Sequence, residues 1–385
     1  MPVPPVATPA RSSALDGLRG IAIVLVVLSH SWKVWPLEDR GSLGPLSALF
    51  NSGSVAVSVL FVISGFLVTR ALLRARQEFG ILGPLHWFVK RFLRISLQLW
   101  LLLFAVWLMA RYDSTDPSPE AVTRTSLVEA ATYTWNTYVR DHALEARSDI
   151  GAVYFLAIDL QFFAAFLLVV LVLARWPRVL TGVLAVAVVM ATAWRWQVME
   201  ASGWFVATLT TTSRMDALLW GCLVAMVASR FAAVRPQATP LLGAGLLLVL
   251  AAVGSTAFYG IEWYFGVQGV VAAGATAVLV WADHQERLRT SMADELLSAA
   301  PLAALGAASL TIFLWHIPIF EAVARHLPAA HPLIRSLVAL GILAVVVVIV
   351  ERLVARPLQR LARRLTPRRP AQEALAAVET PLSPA

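Results

Sequence analysis

The feature that most constrains this chain is a succession of stretches of about 20 predominantly apolar residues, separated by clusters of Arg, Pro and Gly. A helix of that length crosses the hydrocarbon core of a bilayer with its backbone polar groups satisfied internally. Each stretch therefore predicts a transmembrane helix. The ten stretches lie at roughly 18–36, 52–73, 92–110, 150–173, 179–197, 213–231, 239–258, 261–282, 303–323 and 333–355.

The amino-acid composition agrees with lipid as the solvent of this chain. Apolar residues make up 59% and charged residues 14% of the sequence, against about 45–50% and 25% in soluble domains. Such a composition excludes a soluble multidomain enzyme. The single Cys excludes a disulfide framework, a thiolate zinc site and an iron–sulfur cluster, and no metal is expected.

The positions of the basic residues explain the net charge of +8. If the N-terminus is cytoplasmic, about two thirds of the 31 Lys and Arg residues fall on the cytoplasmic side of the ten helices, as the positive-inside rule requires. Nucleic-acid binding is therefore not expected. The sequence predicts an all-α, polytopic membrane helix bundle with both termini cytoplasmic.

Two terminal segments are predicted to lie outside the membrane domain. Residues 1–14 are rich in Pro and Ala and are expected to be a disordered cytoplasmic segment. Residues 358–385 are first basic and then rich in Ala, Pro and Glu, which predicts a disordered cytoplasmic tail. The membrane domain is therefore expected at 15–357.

Ionisable side chains inside an apolar span are costly and mark candidate functional residues. In the first span, Arg19 and His30 are eleven residues apart. At 100° per residue the two side chains lie about 20° apart on one helix face, with a rise of about 16 Å. Asp16 shares that face if the helix begins early. Arg19 suits the cytoplasmic interface. His30 suits general-base or acyl-relay chemistry, and the alternative is a structural His that is hydrogen-bonded to another span.

Arg91 and Arg94 are three residues apart and share one helix face before the third span. Two interpretations stand side by side. They are either anchors to the cytoplasmic headgroups or a fork for the phosphates of a cofactor, because guanidinium groups match phosphate oxygens bidentately.

Further polar residues interrupt later spans. Asp159 lies in an aromatic fourth span, and Arg214 in the sixth is a plausible partner for it. Such a pair is either structural or functional. His316 in the ninth span is a second buried imidazole with the same two interpretations. Ser64–Gly65 is interpreted as a small-residue pair that lets two helices approach closely, not as a nucleophile.

Residues 111–149 form the one long outer loop that the sequence predicts. Long loops without structure are often lids or binding loops. Its aromatic run includes Trp135, Asn136 and Tyr138, which suit the stacking and hydrogen bonding of sugar rings. Anchoring in the membrane interface is the alternative for the aromatic residues.

The polar residues also stand in a recognisable order over almost 300 residues. Together they resemble the membrane acyltransferase-3 family, whose first helix carries an Arg, ten residues and then a His. The matching segments are Leu15–Ala22 with His30, Phe61–Leu67, Arg91–Arg94, Tyr154–Phe163, Ser213–Gly221 and Ser309–His316. Departures from the family pattern are Asp159 for the usual Glu, Tyr154 for Trp, and Ala56 and Ser58 for Gly and Asp.

The resemblance implies a membrane O-acyltransferase for 15–357, without an additional extracytoplasmic domain. It implies transfer of an acyl group, expected to be acetyl, from cytoplasmic acyl-CoA to a hydroxyl of a carbohydrate or glycolipid acceptor. A wall or capsular glycan of the cell envelope, a glycolipid and a secondary-metabolite sugar such as that of a macrolide are the alternatives. By this resemblance Arg19, Arg91 and Arg94 bind the phosphates of CoA. His30, with Arg19 and Asp159, is catalytic, and His30 acts either as a base or as an acyl carrier.

Arg214 and His316 join the aromatic run as expected acceptor-binding residues. The bacterial plasma membrane is the expected location. A polytopic transporter or flippase for a glycolipid is the alternative function, because buried Arg, Asp and His also suit a translocation path. The expected inverted repeats of common transporters are not visible in the sequence. The acceptor, the acyl chain length and the oligomeric state stay open.

Overall fold

The computed structural model describes residues 13–36, 45–228, 238–284 and 292–364. Within these ranges the chain is helical and contains no strand. The helices are α1 Ser13–Ser29, α2 Ser47–Asn51, α3 Gly53–Phe79, α4 Gly83–Tyr112, α5 Glu120–Ala131, α6 Trp135–Asp141, α7 Tyr154–Leu173, α8 Pro177–Leu209, α9 Thr211–Ala228, α10 Ala238–Ser255, α11 Ile261–Trp263, α12 Gly269–His284, α13 Met292–Leu297, α14 Ala300–Ala307, α15 Ser309–His326, α16 Pro332–Val350 and α17 Arg356–Arg364.

Several of these helices are long and apolar enough to cross a membrane. In the described residues they number seven. An eighth arises if α14 and α15, bent by 74° at their junction, count as one broken span. The seven segments are Ser13–Lys33, Gly53–Phe79, Gly83–Tyr112, Gly151–Leu173, Pro177–Leu209, Ile261–His284 and Pro332–Leu361. The predicted all-α, polytopic membrane bundle is therefore confirmed.

The two other predicted spans, 213–231 and 239–258, coincide with α9 and α10 where the chain is described. The α9 helix has 18 residues and contains Arg214 and Asp216, whose charges lower its hydropathy. The number of ten spans and the cytoplasmic position of both termini stay predictions. The predicted disordered segments, 1–14 and 358–385, lie mostly outside the described residues.

The α3 helix lies at the centre of the bundle and packs against α1, α4, α7, α9 and α12. Its closest neighbour is α9, and two glycines allow that approach. A Cβ atom on Gly65 would lie 2.2 Å from the carbonyl oxygen of Leu218, and one on Gly221 would lie 2.1 Å from that of Val62. The interpretation of Ser64–Gly65 as a close-packing pair is confirmed at Gly65.

The α1 helix is held in a similar way against α14. A Cβ atom on Gly20 would lie 2.2 Å from the carbonyl oxygen of Leu302, and one on Gly306 would lie 1.6 Å from that of Asp16. Small residues at both sides of a contact let two membrane helices meet backbone to backbone. This contact fixes α1 next to the start of α15.

Residues 111–149, called the outer segment after their predicted position, differ from the expected unstructured loop. They form α5 and α6, and Trp135 is completely buried. Tyr133 and Ser96 of α4 share a hydrogen bond of 2.8 Å between their hydroxyl oxygens. The expectation of a loop without regular structure is therefore wrong, because this segment is helical and its apolar residues pack against α4 and α7.

Replacing Gly221 with Ala tests the close contact of α3 and α9. The added methyl group would meet a backbone carbonyl, which cannot move as a side chain can. We expect a loss of about 1–3 kcal/mol in unfolding free energy, as is typical of overpacking. Thermal unfolding of the purified protein in detergent measures this loss.

Gly274→Ala is the matched control, because a Cβ atom at Gly274 in α12 meets no atom within 4 Å. This control should be neutral or slightly stabilising, since Ala favours helix over Gly. Equal unfolding temperatures for both variants would contradict the close contact.

Candidate active site

Arg19 of α1 and His30, the residue directly after α1, both face α15, as their spacing predicted. Arg19 Nη2 donates a hydrogen bond of 2.7 Å to Ser309 Oγ at the start of α15. Its Nη1 lies 3.4 Å from Asp16 Oδ1, one turn earlier. His30 meets His316 seven residues further along α15. The face of α1 that packs against α15 therefore has the guanidinium of Arg19 near its start, and the imidazole of His30 follows directly after its last residue.

His30 and His316 form a pair at the end of α1. Nε2 of His316 lies 3.3 Å from Nδ1 of His30, and the ring centroids are 5.1 Å apart at an interplanar angle of 61°. His316 is fully buried, and His30 is half-buried. The structure therefore brings together two imidazoles that stand 286 residues apart in the sequence.

The neighbouring acceptors determine which nitrogen of each ring carries the proton. His316 Nδ1 lies 2.7 Å from the carbonyl oxygen of Phe313 and 3.2 Å from that of Ile312. Carbonyl oxygens only accept, so His316 must be protonated at Nδ1. In the neutral ring, its Nε2 is then an acceptor toward His30.

The same reasoning applies to His30. Its Nδ1 lies 2.9 Å from the carbonyl oxygen of Val26 and 3.3 Å from the unprotonated Nε2 of His316. Two acceptors require a proton on Nδ1 of His30, which leaves Nε2 with a lone pair. Within the described part of the chain, no hydrogen bond reaches this Nε2. This geometry leaves Nε2 of His30 able to accept a proton.

Asp159, on α7, is paired with Arg91 and not with Arg214. Its Oδ2 accepts a hydrogen bond of 2.8 Å from Arg91 Nη2, and its Oδ1 accepts one of 2.9 Å from Ser64 Oγ. Arg91 also reaches Ser64 Oγ at 3.3 Å. This cluster ties together α3, α4 and α7. The expected Arg214–Asp159 pair is wrong, because α3 supplies Ser64 at that position and α4 supplies the cation.

Arg214 instead lies among aromatic rings. It is buried, and its guanidinium carbon lies 4.9 Å from the ring centroid of Tyr264 and 5.8 Å from that of Phe265. All three of its guanidinium nitrogens lack a hydrogen-bond partner among the described residues. Cation–π contacts with these rings stabilise its charge.

Arg195, and not Arg214, forms the ion pair with the nearby carboxylate of Asp216. Its Nη1 donates to Asp216 Oδ2 at 2.5 Å, and its Nε and Nη2 donate to the carbonyl oxygens of Phe265 and Gly266. Arg195 lies inside the predicted span 179–197. The α8 helix extends beyond that span to Leu209, and Arg195 is buried in the bundle.

The aromatic run of the outer segment does not form an open sugar platform. Trp135 and Asn136 are buried. Asn136 Nδ2 donates to the carbonyl oxygen of Leu209 at 2.9 Å, and its Oδ1 accepts from Gln161 Nε2 at 3.0 Å. Tyr138 is half-buried and stacks on Trp135 at 5.9 Å. These residues pack the outer segment onto α7 and α8.

Arg94 lies one turn after Arg91 on α4 and is half-buried. The sequence missed two further charged residues near the histidine pair, Lys33 and Glu321. They form an ion pair between the end of α1 and α15. Lys33 follows His30 by three residues, and Glu321 follows His316 by five. This spacing predicts an ion pair only if the contact between the two histidines is already known.

Comparisons with known proteins agree with the motifs. A family model described as an acyltransferase domain matches residues 12–351. The chain is 24% identical to peptidoglycan O-acetyltransferase OatA of Listeria monocytogenes over 368 residues, which is 90% of this chain and 56% of that protein. It is 27% identical to the putative peptidoglycan O-acetyltransferase YrhL of Bacillus subtilis over 328 residues, 79% and 48% of the two chains.

Over a shorter stretch of 92 residues, the chain is 30% identical to a putative O-acetyltransferase of Staphylococcus aureus. This stretch is 24% of this chain and 13% of the S. aureus protein. The chain spans about half the length of the two curated relatives that it matches over most of its own length. No solved structure matches the chain.

A double-mutant cycle on Arg91 and Asp159 tests the buried cluster. Asp159→Asn and Arg91→Gln should each lower the unfolding temperature, because each leaves one buried charge without its partner. The double variant should lose less unfolding free energy than the two single variants lose together. We expect a coupling of about 1–3 kcal/mol from thermal unfolding in detergent.

The matched control is the exposed pair Arg140–Asp141, whose atoms lie 2.8 Å apart at the surface. Solvent screens such a pair, so its cycle should show almost no coupling. The buried cluster is contradicted if both cycles give the same coupling.

Proposed function

This chain belongs to the acyltransferase-3 family, as its motifs predicted, and we propose that it is a membrane O-acetyltransferase. In this proposal it moves an acetyl group from cytoplasmic acetyl-CoA to a hydroxyl of a cell-envelope carbohydrate in the bacterial plasma membrane. Peptidoglycan is the first acceptor to test, because two relatives bear that substrate in their names. The observation that carries the proposal is the contact of His30 Nδ1 with the carbonyl oxygen of Val26 and with Nε2 of His316, which leaves Nε2 of His30 free to accept a proton.

The arrangement of the basic residues supports a cytoplasmic donor. Gly53, at the start of α3, lies against Ser29 at the end of α1. The other end of α3, with Arg70, Arg74 and Arg76, is therefore at the Arg19 end of α1. Basic clusters mark the cytoplasmic side of a membrane protein.

The phosphates of CoA are assigned to this basic end. Arg19 and Arg94 are the proposed phosphate contacts, because guanidinium groups bind phosphate oxygens bidentately. Arg91 is the third, oriented by Asp159. Arg19 lies about 16 Å from His30 along α1, so the flexible arm of CoA would carry the thioester from one group to the other.

The reaction needs one proton acceptor and no covalent intermediate. Nε2 of His30 takes the proton of the acceptor hydroxyl while its oxygen attacks the carbonyl carbon of the thioester. The carbon–sulfur bond then breaks, and the departing thiolate of CoA takes the proton from His30. The products are the acetyl ester and free CoA, and His30 returns to its starting state.

His316 supports this step as a positioning residue. When Nε2 of His30 gains a proton, the ring becomes an imidazolium that still donates from Nδ1. His316 Nε2 and the carbonyl oxygen of Val26 accept from that nitrogen and stabilise the positive charge. The pair therefore favours the charged form of His30 that exists only during the reaction.

His30→Ala tests the base directly. Removing a general base costs about 10²–10⁴-fold in rate, so acetyl transfer to peptidoglycan by the reconstituted protein should fall to that extent. Release of acetate from isolated peptidoglycan, measured by mass spectrometry, reports the transfer.

His86→Ala is the matched control, because His86 is an exposed residue at the start of α4. It should transfer acetyl groups at the normal rate. Unchanged transfer by His30→Ala would refute the mechanism. An acetyl group found covalently on His30 would show that His30 acts as an acyl carrier and not as a general base.

A series at His316 separates positioning from packing. His316→Leu removes the acceptor, and a hydrogen bond to a charged group is worth about 1.5–3 kcal/mol. The kcat should therefore fall about 10- to 100-fold, with the KM for acetyl-CoA unchanged. His316→Gln should recover part of the kcat, since its amide oxygen can accept from His30 Nδ1. Equal kcat values for Leu and Gln would mean that His316 only fills space.

A further inference from the structure

A cleft lies beyond the histidine pair, at the end of α1 and α15 that is farthest from Arg19. Its volume is about 290 Å³, and its lining includes Lys33, Ser148, Glu321 and Arg325. Lys33 follows His30 by three residues of 3₁₀-helix, a rise of about 6 Å. Glu321 follows His316 by five residues of α-helix, a rise of about 7.5 Å. The cleft therefore begins within one or two helical turns of the imidazoles.

Three side chains that can exchange partners form the part of the cleft nearest to the histidines. Lys33 Nζ donates to Oε1 of Glu321, and Ser148 Oγ donates to Oε2 of the same carboxylate at 3.0 Å. A ligand hydroxyl can replace the serine as donor or accept from the lysine. This arrangement offers both donors and acceptors at hydrogen-bond spacing.

The wall behind them is fixed by a buried ion cluster around Arg147. Its guanidinium donates to both oxygens of Asp149 at 3.0 and 2.6 Å, to Asp116 at 2.8 Å and to Thr123 at 2.9 Å. Burial alone would raise the pKa of Asp116, but hydrogen bonds from Arg147 and Ser118 outweigh it and hold the pKa below its usual value. Asp116 is therefore ionised at neutral pH, and the hydrogen bonds of Arg147 connect the residues of this wall.

Arg325 closes another side of the cleft. Its Nη2 donates to Asp113 Oδ2 at 3.3 Å. Its Nε is buried and has no hydrogen-bond partner in the described ranges. A buried donor without an acceptor is costly, and a ligand oxygen would satisfy it.

We infer that this cleft binds one sugar ring of the acceptor and presents a ring hydroxyl to His30. The inference rests on the proposed acetyl transfer. A volume of about 290 Å³ is at the lower limit for small-molecule sites, which suits a single ring. Among the described residues that line the cleft, only Pro117 and Ala324 are apolar, so an acyl chain would find little apolar surface. This site differs from the aromatic run that the sequence favoured.

Kinetics of the full chain in lipid nanodiscs test the cleft. The probe is the disaccharide of N-acetylglucosamine and N-acetylmuramic acid, with acetyl-CoA as donor. Ser148→Ala should raise the KM for the disaccharide about three- to tenfold, and Glu321→Gln about 10- to 100-fold. The kcat and the KM for acetyl-CoA should stay unchanged. The matched controls are Ser114→Ala and Glu120→Gln, exposed residues of the same outer segment that do not line the cleft.

Binding of the disaccharide without acetyl-CoA is the second measurement, made by saturation-transfer NMR. Binding by the wild type that weakens in both cleft variants, and not in the controls, supports the cleft even if no acetyl transfer occurs. In that case only the proposed function fails. If the wild type transfers acetyl groups and the cleft variants keep its KM and its binding, the cleft is overturned and the function stands. Absence of binding by the wild type also overturns the cleft.

Discussion

The contact between His30 and His316 is the interaction on which the rest of the account depends. It joins α1 to α15 at a position where neither ring meets a carboxylate among the described residues. Backbone carbonyls accept the hydrogen bonds from Nδ1 of each ring and orient the ring, a role that an Asp carboxylate has in many catalytic sites. Because carbonyls can only accept, they determine both tautomers and leave one lone pair directed away from the pair. A buried carboxylate would instead require a charge inside the bundle, which is costly in a membrane.

Close backbone packing keeps the two rings in register. Gly306 lies against the backbone of Asp16, and Arg19 bonds to Ser309 at the start of α15. The distance from this contact to the histidine pair is then set by the helical rise on each side. A basic region, suited to a donor that bears phosphates, therefore lies at one end of α1. A polar cleft, suited to an acceptor that bears hydroxyls, lies at the other end. The proposed transfer takes place where the two routes meet.

Periodicity and hydropathy predicted much of this architecture. The positions of the helices, the shared face of Arg19 and His30 and the close approach at Gly65 follow from spacing within one helix. Partners across the bundle do not, because periodicity indicates which face is buried but not which helix covers it. Asp159 was therefore assigned to Arg214, although Arg91 holds it. The α8 helix extends to Leu209, beyond the predicted end at 197, because its C-terminal end could not be predicted from the sequence. Lys33 and Glu321 could be recognised only after the contact between the two histidines was seen.

The protonation state of His30 tests this account most directly. The protein would be labelled with ¹⁵N-histidine, reconstituted in nanodiscs without ligands, and studied by ¹⁵N NMR at neutral pH, with His30 assigned from the signal that His30→Asn removes. We predict a neutral ring with its proton on Nδ1, and a shift of that signal in His316→Leu. A proton on Nε2 of His30, or a signal that does not respond to His316→Leu, would contradict the account.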